Sequence, residues 1–412
     1  MKVHVWGINY DPEVTGISPY NVALCEFLHS RGHEVRMVTT FCYYPAWKKL
    51  PEDRGKLWRD DLIRGVPVHR CWHYVPARVT TFRRVAHELT FVATSFLRQL
   101  TLPRPDLWVV VSPPLLLGMA AWALSRLKRA PFIFHVQDLQ PDAAAGLGMI
   151  KPGPLLQALR FLERFAYAKA ARVGGISQGM MRAFGEKGVE ESRRLYFPNG
   201  VALPDPATLP KPGAFRAREG YGAQDFLAVY SGNLGVKQGL DVLVEAAKRL
   251  ANPRVQIILC GDGAVRAALE RQAAEANLRN LRFLPLQPDA AYREMLADAD
   301  LWVIPQQAGT GNFFFPSKLL GAVAHGRPVL SVADPESELA RAAAAGGFGL
   351  NVPPGDPAAL AAALERLATR PEELQTMGRQ GLLFARQFDQ TAVLEKFLEE
   401  ITPLAKPLHT KG

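Results

Sequence analysis

The residues best suited to hold a phosphorylated ligand lie in FFFPSKLLGAVAHGRPVL, Phe313 to Leu330. Pro316 stands where a helix begins, and a first helical turn leaves backbone N–H groups free to meet an anion. Pro316, Ser317, Lys318 and Leu319 make that turn, and an ammonium beside open amides is a diphosphate cradle. Asn312, in the loop just ahead, is a candidate substrate contact. The same residues also fit a plain helix start with a solvated lysine, so neighbouring motifs must decide.

Two more loops carry the same chemistry. SGNLGVKQG, Ser231 to Gly239, delivers small residues, Asn233 and Lys237 at the end of an apolar run. CGDGA, Cys260 to Ala264, follows the next run, with Gly261 and Gly263 giving room for a nucleotide. Tight strand–helix turns would use such glycines too, but three loops of one kind after successive strands favour phosphate binding. Lys237 and Lys318 would offset the charge that develops on a diphosphate leaving group.

The first half holds a different set. Gly16 follows the first strand in a loop with Asp11, Glu13 and Thr15, where backbone can approach a phosphate. HVQDLQPD, His135 to Asp142, ends another strand with polar groups that packing alone would not select. Asp138 is the candidate for orienting a sugar or acceptor hydroxyl. His135 is a substrate contact or a satisfied histidine near the sheet; Asp142 is a substrate contact or a helix cap. Asn199, in PNGV (Pro198 to Val201), completes the candidate substrate set. Neither GxGxxG nor GxxxxGK[ST] occurs, which argues against a dinucleotide enzyme and a P-loop. With no Cys/His spacing or acidic pair of the metal-binding kind, no metal ligands are assigned.

These loops need α/β frames. Non-alternating apolar runs at Val3–Ile8, Glu34–Thr39, Val66–Arg70, Leu107–Val111, Phe132–Val136, Arg172–Ile176 and Leu195–Phe197 predict a parallel sheet covered on both faces. A second set follows a proline-rich linker at Asp205 to Gly213: Phe226–Tyr230, Val255–Leu259, Leu281–Leu284, Leu301–Ile304, Pro328–Val332 and Gly346–Val352. At 412 residues the chain is too long for one ordinary core. The expected division is 1–204, 205–386, and a helix and tail over 387–412 that bridges back to the first domain. Ligands of such sheets bind beyond the carboxyl ends of the strands.

Charge is one-sided. Residues 1–200 hold 27 Lys and Arg against 16 Asp and Glu, whereas the rest of the chain holds 22 against 23. No recognition helix, zinc finger or basic tail accompanies the surplus, so an anionic membrane surface or phosphorylated acceptor is preferred over nucleic acid. The segment Phe82 to Leu100 is amphipathic. Phe82, Val85, Ala86, Leu89, Val92, Ala93, Phe96, Leu97 and Leu100 share one face, expected to pack on the first domain. Arg83, Arg84, His87 and Arg98 lie elsewhere, with Phe91 as an exposed aromatic among them and the rim touching lipid or a lipid-linked acceptor. Four scattered cysteines, no signal peptide ahead of Lys2 and no spanning-length apolar run lead to the expectation of a cytoplasmic protein, peripheral on the inner membrane face.

YDPEVTGISPY, DLQP, PNGV, YSGNLGVKQGL, GDG and PSKLL with AHGRPVL, in this order and spacing, resemble the family 4 glycosyltransferases of the GT-B fold. The likeness covers almost the whole chain and points to the bacterial branch that builds surface polysaccharides, including fucosyl- and N-acetylfucosaminyltransferases. It implies two Rossmann-like domains facing a central cleft, with a nucleotide-sugar donor (UDP- or GDP-linked) held mainly by the second. It also implies transfer with retention to a glycan acceptor, often polyprenyl-diphosphate-linked, without cofactor or metal. Phe313 and Gly321 fall where the family often has glutamates, Asn233 and Gln238 where it has Arg and Lys, and Gln140 where it has Trp. Those departures keep two other readings in view: a non-catalytic nucleotide-sugar or glycan-binding subunit, and a nucleotide-sugar epimerase of the same architecture.

Overall fold

The structure is a computed structural model, and it describes residues 1–13, 16–44, 46–78, 80–146, 150–309 and 317–405. Two compact units divide it: residues 1–199 with 391–412, and residues 200–390.

The first unit is built on eight strands: β1 (Lys2–Trp6), β2 (Glu34–Thr40), β3 (Trp58–Ile63), β4 (Val66–Cys71), β5 (Leu107–Ser112), β6 (Phe132–Val136), β7 (Arg172–Gly175) and β8 (Arg194–Tyr196). Their order is β3-β4-β2-β1-β5-β6-β7-β8, parallel throughout except for the β3–β4 hairpin. Helices α1 (Ser18–Ser30), α2 (Thr81–Thr101), α3 (Leu117–Lys128), α4 (Gln140–Gly146), α5 (Pro154–Lys169) and α6 (Gln178–Glu186) cover the sheet. The connection through α1 runs toward one edge, and those through α2, α3 and α5 run toward the other. Right-handed crossovers therefore place α1 on one face and the other three on the opposite face.

Strand β3 has no counterpart in the sequence reading. Its WRDDLI carries three charges and no apolar run, because it is an edge strand whose Asp61 accepts from Arg59 and Arg70. The signal for it was the turn: Arg64 and Gly65 both have positive φ (48° and 80°), the geometry of a two-residue hairpin.

Helix α2 forms where expected but is turned over. His87, Phe91, Thr94, Ser95 and Gln99 are buried, while Phe82, Val85, Leu89, Leu97 and Leu100 are exposed. The expectation that the apolar stripe faces the core and Phe91 faces out is thus reversed. The inward polar groups have partners: His87 Nδ1 meets the Tyr74 carbonyl at 2.7 Å. Gln99 Oε1 meets His4 Nδ1 at 2.9 Å and accepts from Trp108 Nε1 at 3.3 Å. These hydrogen bonds let a polar face go inside, with Gln99 Nε2 left without a partner.

The second unit has six parallel strands: β9 (Phe226–Ser231), β10 (Val255–Cys260), β11 (Leu281–Leu284), β12 (Leu301–Pro305), β13 (Val329–Val332) and β14 (Gly349–Val352). Their order is β11-β10-β9-β12-β13-β14. Helices α7 (Ala214–Glu219), α8 (Asp241–Ala247), α9 (Arg266–Glu275), α10 (Asp289–Asp298), α11 (Ser317–Ala324), α12 (Glu338–Gly346), α13 (Pro357–Ala368) and α14 (Pro371–Ala385) complete it. Apolar cores fill both sides of the sheet, one around Leu243, Ile257 and Leu364, the other around Trp302, Leu319 and Phe348. Strand order reverses between β9 and β12, the switch point at which a doubly wound sheet opens a crevice for ligand.

Helix α15 (Gln390–Ile401) belongs to the first unit apart from its first residue. Its Phe397 stacks on Phe197 with centroids 4.0 Å apart, and it shares a core with Leu24 and Leu28 of α1. At the base of the second unit the two chain passages run side by side: Val201 N–H donates to the Phe388 carbonyl (2.8 Å) and Gln390 N–H to that of Val201 (3.0 Å). A Cβ on Gly200 would sit 2.7 Å from Gln390 Cα, so only glycine permits this approach.

Candidate active site

In the second unit, the residues around the switch point are tied together by backbone. Gly232 N–H donates to the Cys260 carbonyl (2.8 Å), Leu234 N–H to that of Asp262 (2.8 Å), and Val265 N–H back to Leu234 (3.0 Å). This lacing needs bare Cα atoms. Gly261 has φ +142°, and a Cβ there would lie 1.8 Å from the Gly232 carbonyl oxygen. At Gly263 (φ +156°) it would lie 2.4 Å from the Leu234 oxygen. Both glycines predicted for the site are therefore demanded by loop-to-loop contact, with their N–H groups already used: Gly261 on Leu284, Gly263 on the Asp262 carboxylate.

Lys318 enters from the first turn of α11 and lies across this floor. Its Nζ donates to the Tyr230 hydroxyl at 2.8 Å and stands 4.6 Å over the ring. The same hydroxyl donates to the Asn233 carbonyl at 2.6 Å, so Tyr230 ties the lysine to the loop after β9. Gly232 makes room: a Cβ there would be 2.1 Å from Lys318 Cε. Burial, and then repulsion from Lys237, bring the Lys318 ammonium down to about 7. A buried amine facing a second cation, with no carboxylate contributing to its shift, is a ready partner for an incoming anion. Tyr230 escaped the sequence reading because it looked like one more apolar strand residue; an aromatic hydroxyl at a strand's carboxyl end was the available signal.

Lys237 lies in the short turn Val236–Gln238 and is half-buried. Asn233 is exposed on the loop after β9, and Leu319 is wholly buried, so only its backbone could meet a ligand. Pro316 and Asn312 fall outside the described residues, and Ser317 is placed only as the first residue of α11. A hollow of about 420 Å³ nearby is lined by Gly235, Val236, Gly239, Gln307, Val265 and Pro354 among others. It includes neither Lys318 nor Gly261 or Gly263, and so adjoins the lysine cradle instead of being it.

In the first unit, side chains fill the corresponding strand ends. Glu13 is buried and accepts from Asn9 Nδ2 (2.7 Å), Tyr43 N–H (2.8 Å) and Tyr44 N–H (2.7 Å), clamping the loop after β1 to that after β2. Burial raises its pKa against those hydrogen bonds. Gly16 has φ +68°, which explains a glycine there as a turn residue. Next to this clamp, Tyr43, Trp47, His73 and His87 form an aromatic group with centroids 4.7–5.3 Å apart. Sequence reasoning missed this group, since its members come from three separate segments.

His135 is buried and tilts against Phe197; burial drives its pKa down to about 3. Gln137 donates to its Nε2 (2.9 Å) and exchanges two hydrogen bonds with Asn199 (3.1 and 3.0 Å). This arrangement places His135 behind Gln137 and Asn199, as their support. Asp138 is half-buried in the loop between β6 and α4. Asp142 forms ion pairs with Arg160 and Lys187, and Lys187 also pairs with buried Glu163. That network binds α4, α5 and α6 together and gives Asp142 structural partners.

Two family models match the chain: "Glycosyl transferase 4-like domain" over residues 15–200 and "Glycosyl transferases group 1" over 214–383. A relative in Escherichia coli (strain K12), the candidate colanic acid biosynthesis glycosyl transferase WcaI, is 32% identical over 410 residues. That alignment spans 97% of this chain and all of the relative. The chain belongs to the glycosyltransferases. Its fold is GT-B: sucrose-phosphate synthase from Thermosynechococcus elongatus superposes with a TM-score of 0.77 at 20% identity, covering 98% of each chain. Anabaena HepE, solved in complex with UDP-glucose, gives 0.71 at 16% identity, covering 98% of this glycosyltransferase and all of HepE. No helix among the described residues is long and apolar enough to cross a membrane.

Proposed function

We propose that this glycosyltransferase moves a sugar from a nucleotide-diphosphate donor to a hydroxyl of a lipid-linked glycan acceptor in surface-polysaccharide synthesis, with retention of configuration. The second unit binds the donor, with its diphosphate on Lys318, Lys237, Asn233 and the amides that open α11. An acceptor oxygen bonds to the anomeric carbon, and the anomeric C–O bond breaks with its electron pair leaving on the diphosphate. The hydroxyl proton passes to the departing phosphate oxygen. Lys318 and Lys237 stabilise that developing charge without a metal, and Asp138, Gln137 and Asn199 orient the acceptor.

The observation that carries this reading is the Lys318 amine, held by Tyr230 over a glycine floor and desolvated beside a second cation. The polysaccharide context is supported by the kinship with WcaI, and a uridine donor by the likeness to HepE. A panel of UDP-, GDP-, dTDP- and ADP-sugars, read by thermal shift and by turnover on a polyprenyl-diphosphate glycan, tests it. One donor should stabilise the wild type, and turnover should survive EDTA. Lys318→Ala should weaken that donor by roughly 30-fold, the worth of a charge-assisted hydrogen bond of about 2 kcal/mol. Unchanged affinity in Lys318→Ala would refute the cradle, and stabilisation by donor without any acceptor turnover would favour a binding subunit.

A further inference from the structure

Trp47, in the loop after β2, adopts a backbone conformation that its side chain disfavours. It lies at φ 52°, in the left-handed region where a bulky L residue is strained, and it is half-buried. Strain of this kind persists only where the surroundings impose it, and it gathers at ligand sites. Here the bonds of the loop impose it. Glu13 accepts from the Tyr43 and Tyr44 N–H groups, and Lys48 N–H donates to the Tyr43 carbonyl at 3.2 Å. One residue further on, Lys49 Nζ lies 4.6 Å over the Trp72 ring. Held in this way, the indole meets Tyr43 edge to face (5.3 Å) and His87 at a tilt (5.3 Å), with part of its surface open to solvent.

The rings behind Trp47 are polar but uncharged. His73 and His87 are buried and pack edge to face at 4.9 Å. Their Nδ1 atoms face the carbonyls of Cys71 (3.4 Å) and Tyr74 (2.7 Å), and a carbonyl only accepts, so each ring carries its proton on Nδ1. Burial keeps both below the usual histidine range, His87 at about 4. His73 Nε2 is then an acceptor, buried and without a partner, which is a cost to the fold that packing does not explain. The group itself holds no cation for a phosphate: Lys49 lies on Trp72, and Arg84 pairs with Glu88. It suits an uncharged ligand with a flat apolar face. A pyranose is such a ligand, since its axial C–H groups share one face that stacks on an aromatic ring while its hydroxyls point outward.

We propose that Trp47, backed by Tyr43 and His87, is the stacking platform for a gluco- or galacto-configured pyranose of the acceptor glycan. The inference rests on the reading of a glycan acceptor, but its test needs neither donor nor turnover. Saturation-transfer NMR with methyl β-D-glucopyranoside and methyl β-D-galactopyranoside, and with sorbitol as the acyclic control, supplies it. At least one glycoside should take saturation on its ring C–H groups at millimolar concentration, and sorbitol should not. Trp47→Ala should weaken that glycoside about tenfold, the worth of one aromatic contact, and Trp47→Phe should hold it within about threefold of wild type. Trp47→Gly should lose binding as the alanine variant does yet melt above it, because glycine accepts the positive φ. Affinity and stability then part company, as they would not for a merely structural ring. Where a polyprenyl-diphosphate glycan turns over, Trp47→Ala should raise the acceptor KM about tenfold and leave the donor KM unchanged. Failure of both glycosides to bind the wild type, or equal affinity in Trp47→Ala, would overturn the platform. Glycoside binding that Trp47→Ala loses, with no glycan turned over by the wild type, would support the platform and count against the transfer reading alone.

Discussion

The two units share one strand plan and differ in what stands at the carboxyl ends of the strands. In the second unit the loops after β9 and β10 are laced by backbone, and glycines at 232, 261 and 263 leave a floor with one buried lysine above it. In the first unit the equivalent ends are packed with side chains: the Asn9–Glu13–Tyr43 clamp, the Gln137–Asn199 pair, and the group of four rings that includes His87. One frame thus carries two kinds of surface: bare backbone with cations in the second unit, and side chains bonded to one another in the first.

The sharpest way to break this contrast is to put a methyl group on the glycine floor. Gly261→Ala would drive its Cβ into the Gly232 carbonyl, which cannot swing away, so unfolding free energy should fall by about 3 kcal/mol or more. Chemical denaturation measures it; a change below 1 kcal/mol (roughly the scale of an ordinary surface substitution) would mean the lacing is not tight. Lys318→Met should separate binding from stability. Removing a desolvated amine should leave the unliganded protein as stable as wild type or more so, while donor affinity falls by roughly 2 kcal/mol. A drop in both would make Lys318 a structural residue.

The first unit supplies the counter-test. Glu13→Gln replaces one of the two acceptor oxygens by an amide nitrogen, which donates and cannot accept, and should cost about 1–2 kcal/mol of stability. Donor affinity should stay at the wild-type value; a parallel loss would blur the division of labour between the units. The last test is pH. Below pH 7 the Lys318 ammonium is present with or without donor, and above it the free protein loses that proton. Donor binding favours the charged form, so it must take up a proton there, and affinity should fall as pH rises from 7 to 9, by no more than the roughly 30-fold that removing the amine costs. A nucleotide sugar has no phosphate ionisation in that range, so a flat profile by calorimetry would remove the titrating lysine from the site.

Much of the frame was legible in the sequence because parallel strands covered on both faces are written as unbroken apolar runs. The exceptions follow from physics that composition does not carry. Strand β3 is held by Arg59, Asp61 and Arg70, and its charges read as loop. The orientation of α2 is set by hydrogen-bond partners on other segments, so its apolar periodicity gave the right helix and the wrong side. At the site, glycines and lysines were visible by type and spacing. Tyr230 was not, because its role depends on which hydroxyl lies beneath Lys318.

The narrow neck at Val201 and Gln390 makes the second unit, topologically, a long insertion with touching ends. Entry and exit points lie within one hydrogen bond of each other, so a short peptide could bridge them if the insertion were excised. Helix α15 would then still reach the α1 side of its own sheet. Exchange of the entire second unit between relatives is thus a matter of two adjacent cuts.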